Sequence, residues 1–487
     1  MKYRVHIRNT DQYLQAEPGE NLLSLLQEHS LAPDAPCGGH GTCGKCSCLV
    51  DGIRQLACKT RIDRDMTVLL PGKTENRILT DSLAVETATD GLHQYVLAFD
   101  IGTTTVVCYL LSGITGQLLA QASTVNPQSQ FGADVIARIQ YAMDAEGYPL
   151  RECILGAMAE LTEAAAAKAG IRPEEITLAS VVGNTAMHHL LLGIDPRPLT
   201  VPPYMPAMRE AQVLPAAGLL PIHPDAAVRI LPNIAGFVGA DTVGCMVSTR
   251  FDRVRELTLM IDIGTNGEMV LGDQNRRIAC STAAGPAFEG AKIQCGMRGA
   301  AGAVDHVYEQ GGDLRCSVIG GGKAVGLCGS GLLDLVAVLL AREEISESGH
   351  MPCGTFTLPG TEVFLTQKDV REVQLAKAAI RAGIELMCRQ LEVSPEDIRT
   401  VLLAGAFGNY MDPASACAIG MIPPCLRDRI RPIGNAAGEG AKLCALSAEE
   451  FAYSSRVAAQ TRFLELASLP DFNDCYVDCL MFGEEDD

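Results

Sequence analysis

The chain has 487 residues, of which 47% are hydrophobic, so it has room for two or three domains with cores of their own. Its formal net charge is −19 with no basic tract, which disfavours both nucleic-acid binding by phosphate neutralisation and binding to anionic membranes. The N-terminus lacks the apolar core of a secretory peptide, and no run reaches the roughly 18 apolar residues of a membrane span, so we expect a cytoplasmic protein.

The beginning of the chain has the pattern of a small domain with strands on both sides of one helix. The predicted elements are strands at 2–7, 12–16, 47–53 and 66–70 and an amphipathic helix within 18–29. A cysteine-rich loop follows the helix. This order predicts an α+β fold of the β-grasp ferredoxin type over residues 1–73.

The loop carries the spacing of a metal site. The chain has 19 cysteines and no export signal, which favours reduced thiols and a metal site over disulfides. Residues 36–46 spell PCGGHGTCGKC, and their glycines let the backbone wrap closely around sulfur. Structural zinc sites usually pair two short C-x2–4-C knuckles, and only one is present, so a [2Fe–2S] cluster is favoured over zinc. The predicted ligands are Cys37, Cys43, Cys46 and Cys58, whereas Cys48 is expected to be a buried thiol.

Residues 74–94 are polar with weak periodicity, which predicts a linker. From Tyr95 onward strands and helices alternate, as in an α/β fold. The clearest helices are expected at about 151–169 and 367–391, where apolar residues recur at three- and four-residue spacing.

An internal repeat divides this second part of the chain. Residues 97–105 spell LAFDIGTTT, and 162 residues later residues 259–267 spell LMIDIGTNG. This separation is too large for a solenoid period. It predicts two similar halves, residues 95–256 and 257–487, that face each other across a cleft.

Each repeat ends an apolar strand with an aspartate and a Gly-Thr turn, which predicts a site for nucleotide phosphates. The carboxylate can hold Mg²⁺ through water, while turn N–H groups and threonine hydroxyls hold phosphate oxygens. Three further segments are expected at the same cleft: LLAGAFGNY at 402–410, with a Gly-rich turn for adenosine, CGSGLLD at 328–334 and AGPAFEGA at 284–291. The predicted nucleotide-binding residues are Asp100, Gly102, Thr103, Thr104, Asp262, Gly264, Thr265, Asn266, Gly329, Ser330, Gly405, Ala406 and Gly408.

The motifs DIGTTT, DIGTNGE and LAGAFG resemble those of the actin-like ATPase superfamily, which includes sugar kinases, the 70-kDa heat-shock chaperones and actin. The resemblance implies a duplicated, ribonuclease H-like α/β domain that binds ATP with Mg²⁺. Kinases of this superfamily carry a catalytic aspartate ahead of the second phosphate motif, where this chain has Asp241. Orientation of the attacking water and a plain helix N-cap are both open for Asp241. Glu268 is a candidate to polarise water or to bind Mg²⁺ through water, with turn stabilisation as its alternative.

A ferredoxin domain followed by an actin-like ATPase domain resembles one family, the reductive activators of corrinoid enzymes. The resemblance spans nearly the whole chain, through PCGGHGTCGKC, DIGTTT, PNIAGFVGADT, DIGTNGE, AGPAFEGA, CGSGLLD and AGAFGNY. It implies ATP-dependent return of a Co(II) corrinoid protein to Co(I), with a corrinoid protein or methyltransferase as partner and a low-potential electron donor. Larger members carry a middle domain that we expect to be missing here, which leaves the family's homodimer open.

Other functions remain compatible with the sequence. An activator of a radical dehydratase or aryl-CoA reductase would need cysteines in the ATPase domain to share a [4Fe–4S] cluster, and Cys245, Cys280 and Cys295 are the candidates. A small-molecule kinase with a redox-sensing ferredoxin domain and a nucleotide-gated electron-transfer module without hydrolysis are further alternatives. His188 and His189 are expected to be packed histidines rather than ligands.

Overall fold

The computed structural model describes residues 2–29, 31–33, 35, 39, 41, 45–71, 88–144 and 148–483. Most of the predicted linker at 74–94 lies outside the described residues, as do Cys37 and Cys43. Among the described helices, none combines the length and the apolar character needed to cross a membrane.

The N-terminal module is a five-stranded mixed sheet covered by one helix. Its elements are β1 (Tyr3–Ile7), β2 (Gln12–Ala16), α1 (Leu22–Glu28), β3 (Ser47–Val50), β4 (Ile53–Leu56) and β5 (Met66–Leu69), in the sheet order β2-β1-β5-β3-β4. Helix α1 begins after Asn21, whose side chain accepts hydrogen bonds from the backbone N–H groups of Leu23 and Ser24. Four leucines of α1 are buried against the sheet, so the helix is stabilised mainly by this apolar face.

The strand predicted at 47–53 is wrong in one respect, because the chain reverses within it. Residues Asp51 and Gly52 have φ values of 50° and 82° and connect β3 to β4 as a two-residue hairpin. Asp-Gly favours this turn because both central positions need positive φ. The other predicted elements of the module are confirmed, with boundaries that differ by at most four residues.

The first half of the α/β part is built on a six-stranded sheet in the order β10-β11-β9-β6-β7-β8. Its elements are β6 (Tyr95–Ile101), β7 (Thr105–Ser112), β8 (Leu118–Val125), α2 (Val135–Asp144), α3 (Tyr148–Ala169), β9 (Ile176–Gly183), α4 (Thr185–Leu192), β10 (Gln212–Pro215), β11 (Ala227–Ile230) and α5 (Ala240–Ser248). The strands β6, β7 and β8 are antiparallel neighbours, whereas β9 pairs in parallel with β6.

The second half repeats this plan with the sheet order β21-β20-β12-β13-β14-β22. Its elements are β12 (Thr258–Ile263), β13 (Gly267–Gly272), β14 (Arg277–Thr282), β15 (Ala303–Gln310), β16 (Asp313–Val318), β17 (Gly326–Leu327), α6 (Gly329–Ala341), β18 (Thr355–Thr357), β19 (Phe364–Thr366), α7 (Gln367–Leu391), β20 (Thr400–Ala404), α8 (Gly405–Tyr410), α9 (Pro413–Ala418), β21 (Ile430–Gly434), α10 (Ala436–Leu446), α11 (Ala448–Ala459), β22 (Arg462–Phe463) and α12 (Phe472–Asp478). Strands β12 to β14 are antiparallel neighbours and β20 pairs in parallel with β12, so the predicted duplication is confirmed.

The two halves share a core in which helices α5 and α10 cross. Apolar residues of both sheets pack against these helices, including Val107 of the first sheet and Met260 of the second. A Cβ atom on Gly440 of α10 would lie 2.1 Å from the carbonyl oxygen of Gly244 of α5. The helices therefore meet backbone to backbone, an approach that only glycine permits.

The N-terminal module contacts the first half beside the start of α2. The side-chain amide of Gln27, at the end of α1, donates a 2.6 Å hydrogen bond to the carbonyl oxygen of Gln130. Gln130 belongs to a short 3-10 turn over Pro127–Gln130 that Asn126 caps. The module thus contacts the segment that connects β8 to α2.

Most described cysteines of the α/β part are buried thiols. Cys108, Cys245, Cys280 and Cys444 lie in the cores, and burial raises the pKa of each thiol above its ordinary value. A raised pKa keeps a thiol protonated and weakly nucleophilic. These cysteines behave as small apolar residues.

The close crossing of α5 and α10 predicts that replacing glycine by alanine destabilises the protein at the crossing but not at an exposed helix position. We expect Gly440→Ala to lower the free energy of unfolding by about 2 kcal/mol, since the new Cβ would overlap the backbone of α5. Gly156→Ala, in α3 with no atom within 4 Å of the new Cβ, should raise it by about 0.5 to 1 kcal/mol. Denaturant unfolding of both variants measures the difference, and an equally well tolerated Gly440→Ala would contradict the close crossing.

Candidate functional site

The two strand-borne aspartates lie at the cleft between the halves. Asp100 is the penultimate residue of β6, and Asp262 is the penultimate residue of β12. In the sheet, Asp262 lies opposite Glu268 of β13 and beside Ala404 of β20. The predicted position of both carboxylates, at strand ends followed by Gly-Thr turns, is confirmed.

The first turn is held by its carbonyl groups. The side chain of Asn126 donates to the Gly102 oxygen at 2.8 Å, and its backbone N–H donates to the Thr104 oxygen at 2.8 Å. The guanidinium of the fully buried Arg138 donates to the Thr103 oxygen at 2.5 Å. Three consecutive carbonyls are therefore bound by one segment of the chain.

This bonding orients the opposite side of the turn. In a planar trans peptide the carbonyl and the following N–H point in opposite directions. With the Gly102 and Thr103 carbonyls directed at Asn126 and Arg138, we expect the N–H groups of Thr103 and Thr104 to face the cleft. Successive N–H groups that converge in this way form an anion-binding concavity.

Four carboxyl groups crowd the centre of the cleft. Burial, partly offset by a hydrogen bond from Asn435, raises the pKa of Asp100 to about 7, and burial followed by the charges of Asp241 and Asp100 raises the pKa of Asp262 to about 7. Burial also raises the pKa of Asp241 to about 6, and burial and the neighbouring aspartates hold the pKa of Glu268 well above its usual range. Groups that repel one another in a site of low dielectric favour a cation between them.

Asn435 and Gly405 fix the two aspartates. The Asn435 amide donates a 2.8 Å hydrogen bond to Asp100, while its side-chain oxygen caps α10 at the N–H of Gly438. Gly405 has φ of +79°, and a Cβ there would lie 2.5 Å from the Asp262 carboxylate. A glycine is required at this position by both its conformation and its contact.

The cleft has a volume of about 300 Å³. Of the thirteen predicted nucleotide-binding residues, Gly408 is not part of its lining, since it is buried against Leu403. The other predicted residues are brought together there: Asp100, Gly102, Thr103, Thr104, Asp262, Gly264, Thr265, Asn266, Gly329, Ser330, Gly405 and Ala406. The predicted Gly-rich turn after β20 is instead the short helix α8, which begins at Gly405.

One side of the cleft is apolar. The rings of Phe288 and Phe407 stack with centroids 4.6 Å apart and an interplanar angle of 12°. Gly329, the first residue of α6, lies against both, because a Cβ there would be 2.1 Å from the Phe288 oxygen and 2.8 Å from the Phe407 ring. This side offers a flat surface next to the N-terminus of α6.

Asp241 and Glu268, the predicted catalytic residues, both line the cleft. Asp241 lies in the first turn of α5, but the N-cap of that helix is Gly239, so the alternative of a plain N-cap is wrong. Its carboxylate accepts a hydrogen bond from the Thr242 N–H at 2.7 Å. Glu268 accepts from Ser281 at 3.2 Å.

Two of the four predicted cluster ligands are described, and they lie together. The sulfur atoms of Cys46 and Cys58 are 3.2 Å apart. The Asn21 amide, which belongs to the helix cap of α1, donates a 2.9 Å hydrogen bond to the Cys58 carbonyl. Within the part of the chain that the structure describes, no set of three or more His, Cys, Asp or Glu side chains is arranged around a metal position.

Cys48, Cys245, Cys280 and the two histidines are packed as expected, whereas Cys295 is only partly buried. Cys48 is buried, and burial followed by the charge of Cys46 raises its pKa to about 11. Cys245 and Cys280 are fully buried, so neither reaches a surface where a cluster could be shared between subunits. Both His188 and His189 are buried, and His189 is hydrogen-bonded through both ring nitrogens.

Several residues of the site were not predicted individually. Phe288 and Glu289 belong to a motif that was expected at the cleft, but no role was predicted for either side chain. Asn435, Asn126 and Arg138 lie outside every motif. A sequence signal exists for Asn435, because an Asn directly before the small residues of α10 is typical of a helix N-cap.

Duplicated sheets that face each other across a cleft, each with an aspartate and a Gly-Thr turn, define an actin-like ATPase domain. Residues 256–487 match the family model described as the C-terminal domain of RACo, the ASKHA domain, and residues 95–254 match the model of the RACo middle region. The expectation that a middle region is missing is therefore wrong, because the segment that we assigned to the first half is the region that the family model names.

Similar proteins agree with these matches. The chain is 37% identical over 420 residues to the corrinoid activation enzyme RamQ of Eubacterium limosum, covering 80% of this chain and 70% of that one. It is 32% identical over 240 residues to the [Co(II) methylated amine-specific corrinoid protein] reductase of Methanosarcina barkeri, covering 44% of each. The solved structure of a reductive activator for corrinoid, iron-sulfur protein superposes with a TM-score of 0.76, at 28% identity over 99% of both chains. The chain belongs to the RACo family, the reductive activators of corrinoid enzymes.

The raised pKa values of the cleft predict how stability depends on pH. Asp100 and Asp262 ionise near pH 7 in the folded protein but near 4 when unfolded, so the folded state binds more protons between these values. Without nucleotide and Mg²⁺, the free energy of unfolding should fall as the pH rises from about 4 to about 7. Denaturant unfolding across this range measures the slope, which should become shallower in Asp262→Asn. A slope unchanged by this substitution would contradict the assignment.

Proposed function

We propose that the protein is an ATP-dependent reductive activator. It passes a low-potential electron from a [2Fe–2S] cluster in its N-terminal module to the Co(II) form of a corrinoid protein and so restores Co(I). The main support is that two features occur in one chain: a module with two adjacent thiols and a cleft lined by carboxyl groups between two similar halves. The similar proteins are named as a corrinoid activation enzyme and a corrinoid protein reductase.

The N-terminal module fits a β-grasp ferredoxin, and its described thiols fit a cluster. Cys46 and Cys58 are close enough to bind one iron. Gly39 has φ of +87°, and a Cβ there would lie 3.3 Å from the Leu23 side chain and 4.0 Å from the Cys58 Cβ. Cys37 and Cys43 would complete the four ligands. When bound, the cluster supplies one-electron transfer, and Asn21 fixes the backbone of Cys58 beside it.

The cleft fits ATP with Mg²⁺. Mg²⁺ commonly keeps several waters and is bound through one or two carboxylates and the substrate phosphates, and carboxylates of this kind line the cleft. Asp100 and Asp262 would hold the ion, while the turns after them bind phosphate oxygens. The apolar side at Phe407 would take the base, and Asp241 and Glu268, which line the cleft, would orient the attacking water.

The cost of the electron transfer explains why a nucleotide is needed. Plant-type [2Fe–2S] clusters have reduction potentials of about −400 mV. A one-electron transfer that is uphill by about 100 mV has an equilibrium constant of roughly 1/50. Closure of the two halves on nucleotide can shift such an equilibrium if it changes contacts with the corrinoid partner. The contact of Gln27 with Gln130 supports this coupling, because Asn126 of the same segment binds the first phosphate turn.

The proposal includes a division of the chain into modules. Residues 1–73 would carry the cluster, residues 74–94 would tether it, and residues 95–256 and 257–487 would form the two halves of the ATPase domain. The partners would be a corrinoid protein or methyltransferase and a low-potential electron donor.

The cluster assignment predicts a defined metal content. Anaerobically purified protein should contain about two irons and two labile sulfides per chain, and each of Cys37→Ala, Cys43→Ala, Cys46→Ala and Cys58→Ala should lose most of both. Cys353→Ala, which removes an exposed thiol of the second half, is the matched control and should keep both. Iron and sulfide assays decide the matter, and stoichiometric zinc or four irons per chain would contradict it.

The activity itself predicts two separable defects. Reduced protein with Mg²⁺ and ATP should convert a corrinoid protein from Co(II) to Co(I), which its absorbance spectrum reports. Cys46→Ala should still bind ATP but transfer no electron. Asp262→Asn should keep a reducible cluster, but its rates of ATP hydrolysis and of corrinoid activation should fall at least about tenfold. Equal cobalt reduction with and without nucleotide would overturn the coupling.

A further inference from the structure

Glu289 connects the two phosphate turns across the cleft. Its Oε2 accepts a 3.0 Å hydrogen bond from the hydroxyl of Thr104, in the first turn. Its Oε1 accepts a 3.1 Å hydrogen bond from the hydroxyl of Thr265, in the second turn. One carboxylate therefore binds one donor from each copy of the duplicated motif.

The backbone around Glu289 is held firmly in place. The N–H groups of Glu289 and Ala291 both donate to the Pro286 carbonyl at 3.2 Å. Gly290 has φ of +74°, and a Cβ there would lie 2.6 Å from the backbone nitrogen of Met297. The loop cannot shift freely, so the carboxylate leaves the turns mainly by rotation of its own side chain.

The chemistry of this bridge resembles that of a phosphate group. Threonine hydroxyls in these turns are the donors expected to bind phosphate oxygens, and here both donate to carboxylate oxygens instead. The carboxylate carries the same sign of charge as a phosphate and presents two acceptor oxygens at comparable spacing.

We propose that Glu289 is a positioning residue that occupies the place of the terminal phosphate in the nucleotide-free protein. Arrival of a triphosphate releases its carboxylate from Thr104 and Thr265, and the hydroxyls then bind the terminal phosphate. The diphosphate ends short of this position and leaves the bridge intact. Glu289 thus determines how strongly the cleft distinguishes a nucleoside triphosphate from a diphosphate. The inference rests on the proposed binding of ATP in this cleft.

The test compares affinities for two nucleotides. Equilibrium binding of a non-hydrolysable ATP analogue and of ADP, both with Mg²⁺, is measured for the wild type and for Glu289→Gln, which keeps the side-chain shape without the charge. We expect Glu289→Gln to bind the triphosphate about tenfold more tightly, because a negative charge beside the terminal phosphate is removed. Its affinity for ADP should stay within about twofold of the wild type.

Two further variants make the result specific. Glu289→Ala removes both acceptor oxygens and should shift the ratio of triphosphate to diphosphate affinity in the same direction as Glu289→Gln. Glu362→Gln removes an exposed carboxylate that pairs with Lys323 on the surface and should leave both affinities unchanged. Thermal unfolding of each variant establishes that it is folded.

Other outcomes would overturn the inference. An unchanged ratio in both Glu289 variants means that the carboxylate does not compete with the terminal phosphate. Weaker triphosphate binding means that it serves as a ligand of the Mg²⁺–nucleotide complex. Lost hydrolysis with unchanged affinities makes it a catalytic group. A wild type that binds neither nucleotide would contradict the proposed function itself, which is a distinguishable result.

Discussion

The close crossing of α5 and α10 is the constraint on which the cleft depends. Gly244 and Gly440 let the two helices meet without intervening side chains, and Ser180 of β9 adds a 2.5 Å hydrogen bond to the carbonyl of Ala441. Each helix begins at the cleft, one with Asp241 in its first turn and the other with Asn435 as its cap. A larger separation of the helices would move both groups away from Asp100 and weaken the contact between the two halves.

The cleft combines two kinds of electrostatic environment. At its centre four carboxyl groups share a buried site and resist ionisation, whereas at its edge the first turn directs N–H groups inward because its carbonyls are already bound. A cation with an attached polyphosphate satisfies both environments together, which neither an anion nor a cation alone does. The segment from Asn126 to Arg138 links this edge to the N-terminal module, so the two parts of the chain share a structural element.

Local patterns in the sequence predicted most elements of the N-terminal module, two long helices of the α/β part and the motifs, whereas long-range contacts could not be predicted. Periodicity located α3 and α7, and the repeat located Asp100 and Asp262. The hairpin at Asp51 and Gly52 was missed because the hydrophobic pattern continues across the turn. The hydrogen bond from Asn435 to Asp100 spans 335 positions, and the one from Thr104 to Glu289 spans 185, so no sequence window contains either pair. The middle region was missed because we looked for it only in the short linker between the N-terminal module and the first phosphate motif.

The burial of most thiols also determines how the protein reacts with electrophiles. Alkylation requires a thiolate, so core cysteines such as Cys108 and Cys444, whose pKa values burial raises, react only when the fold opens. Cys353 is exposed, so its thiol can react in the native state. The rate at which the remaining thiols are labelled therefore reports local opening of the cores, and a cysteine-rich chain becomes its own probe of conformational stability.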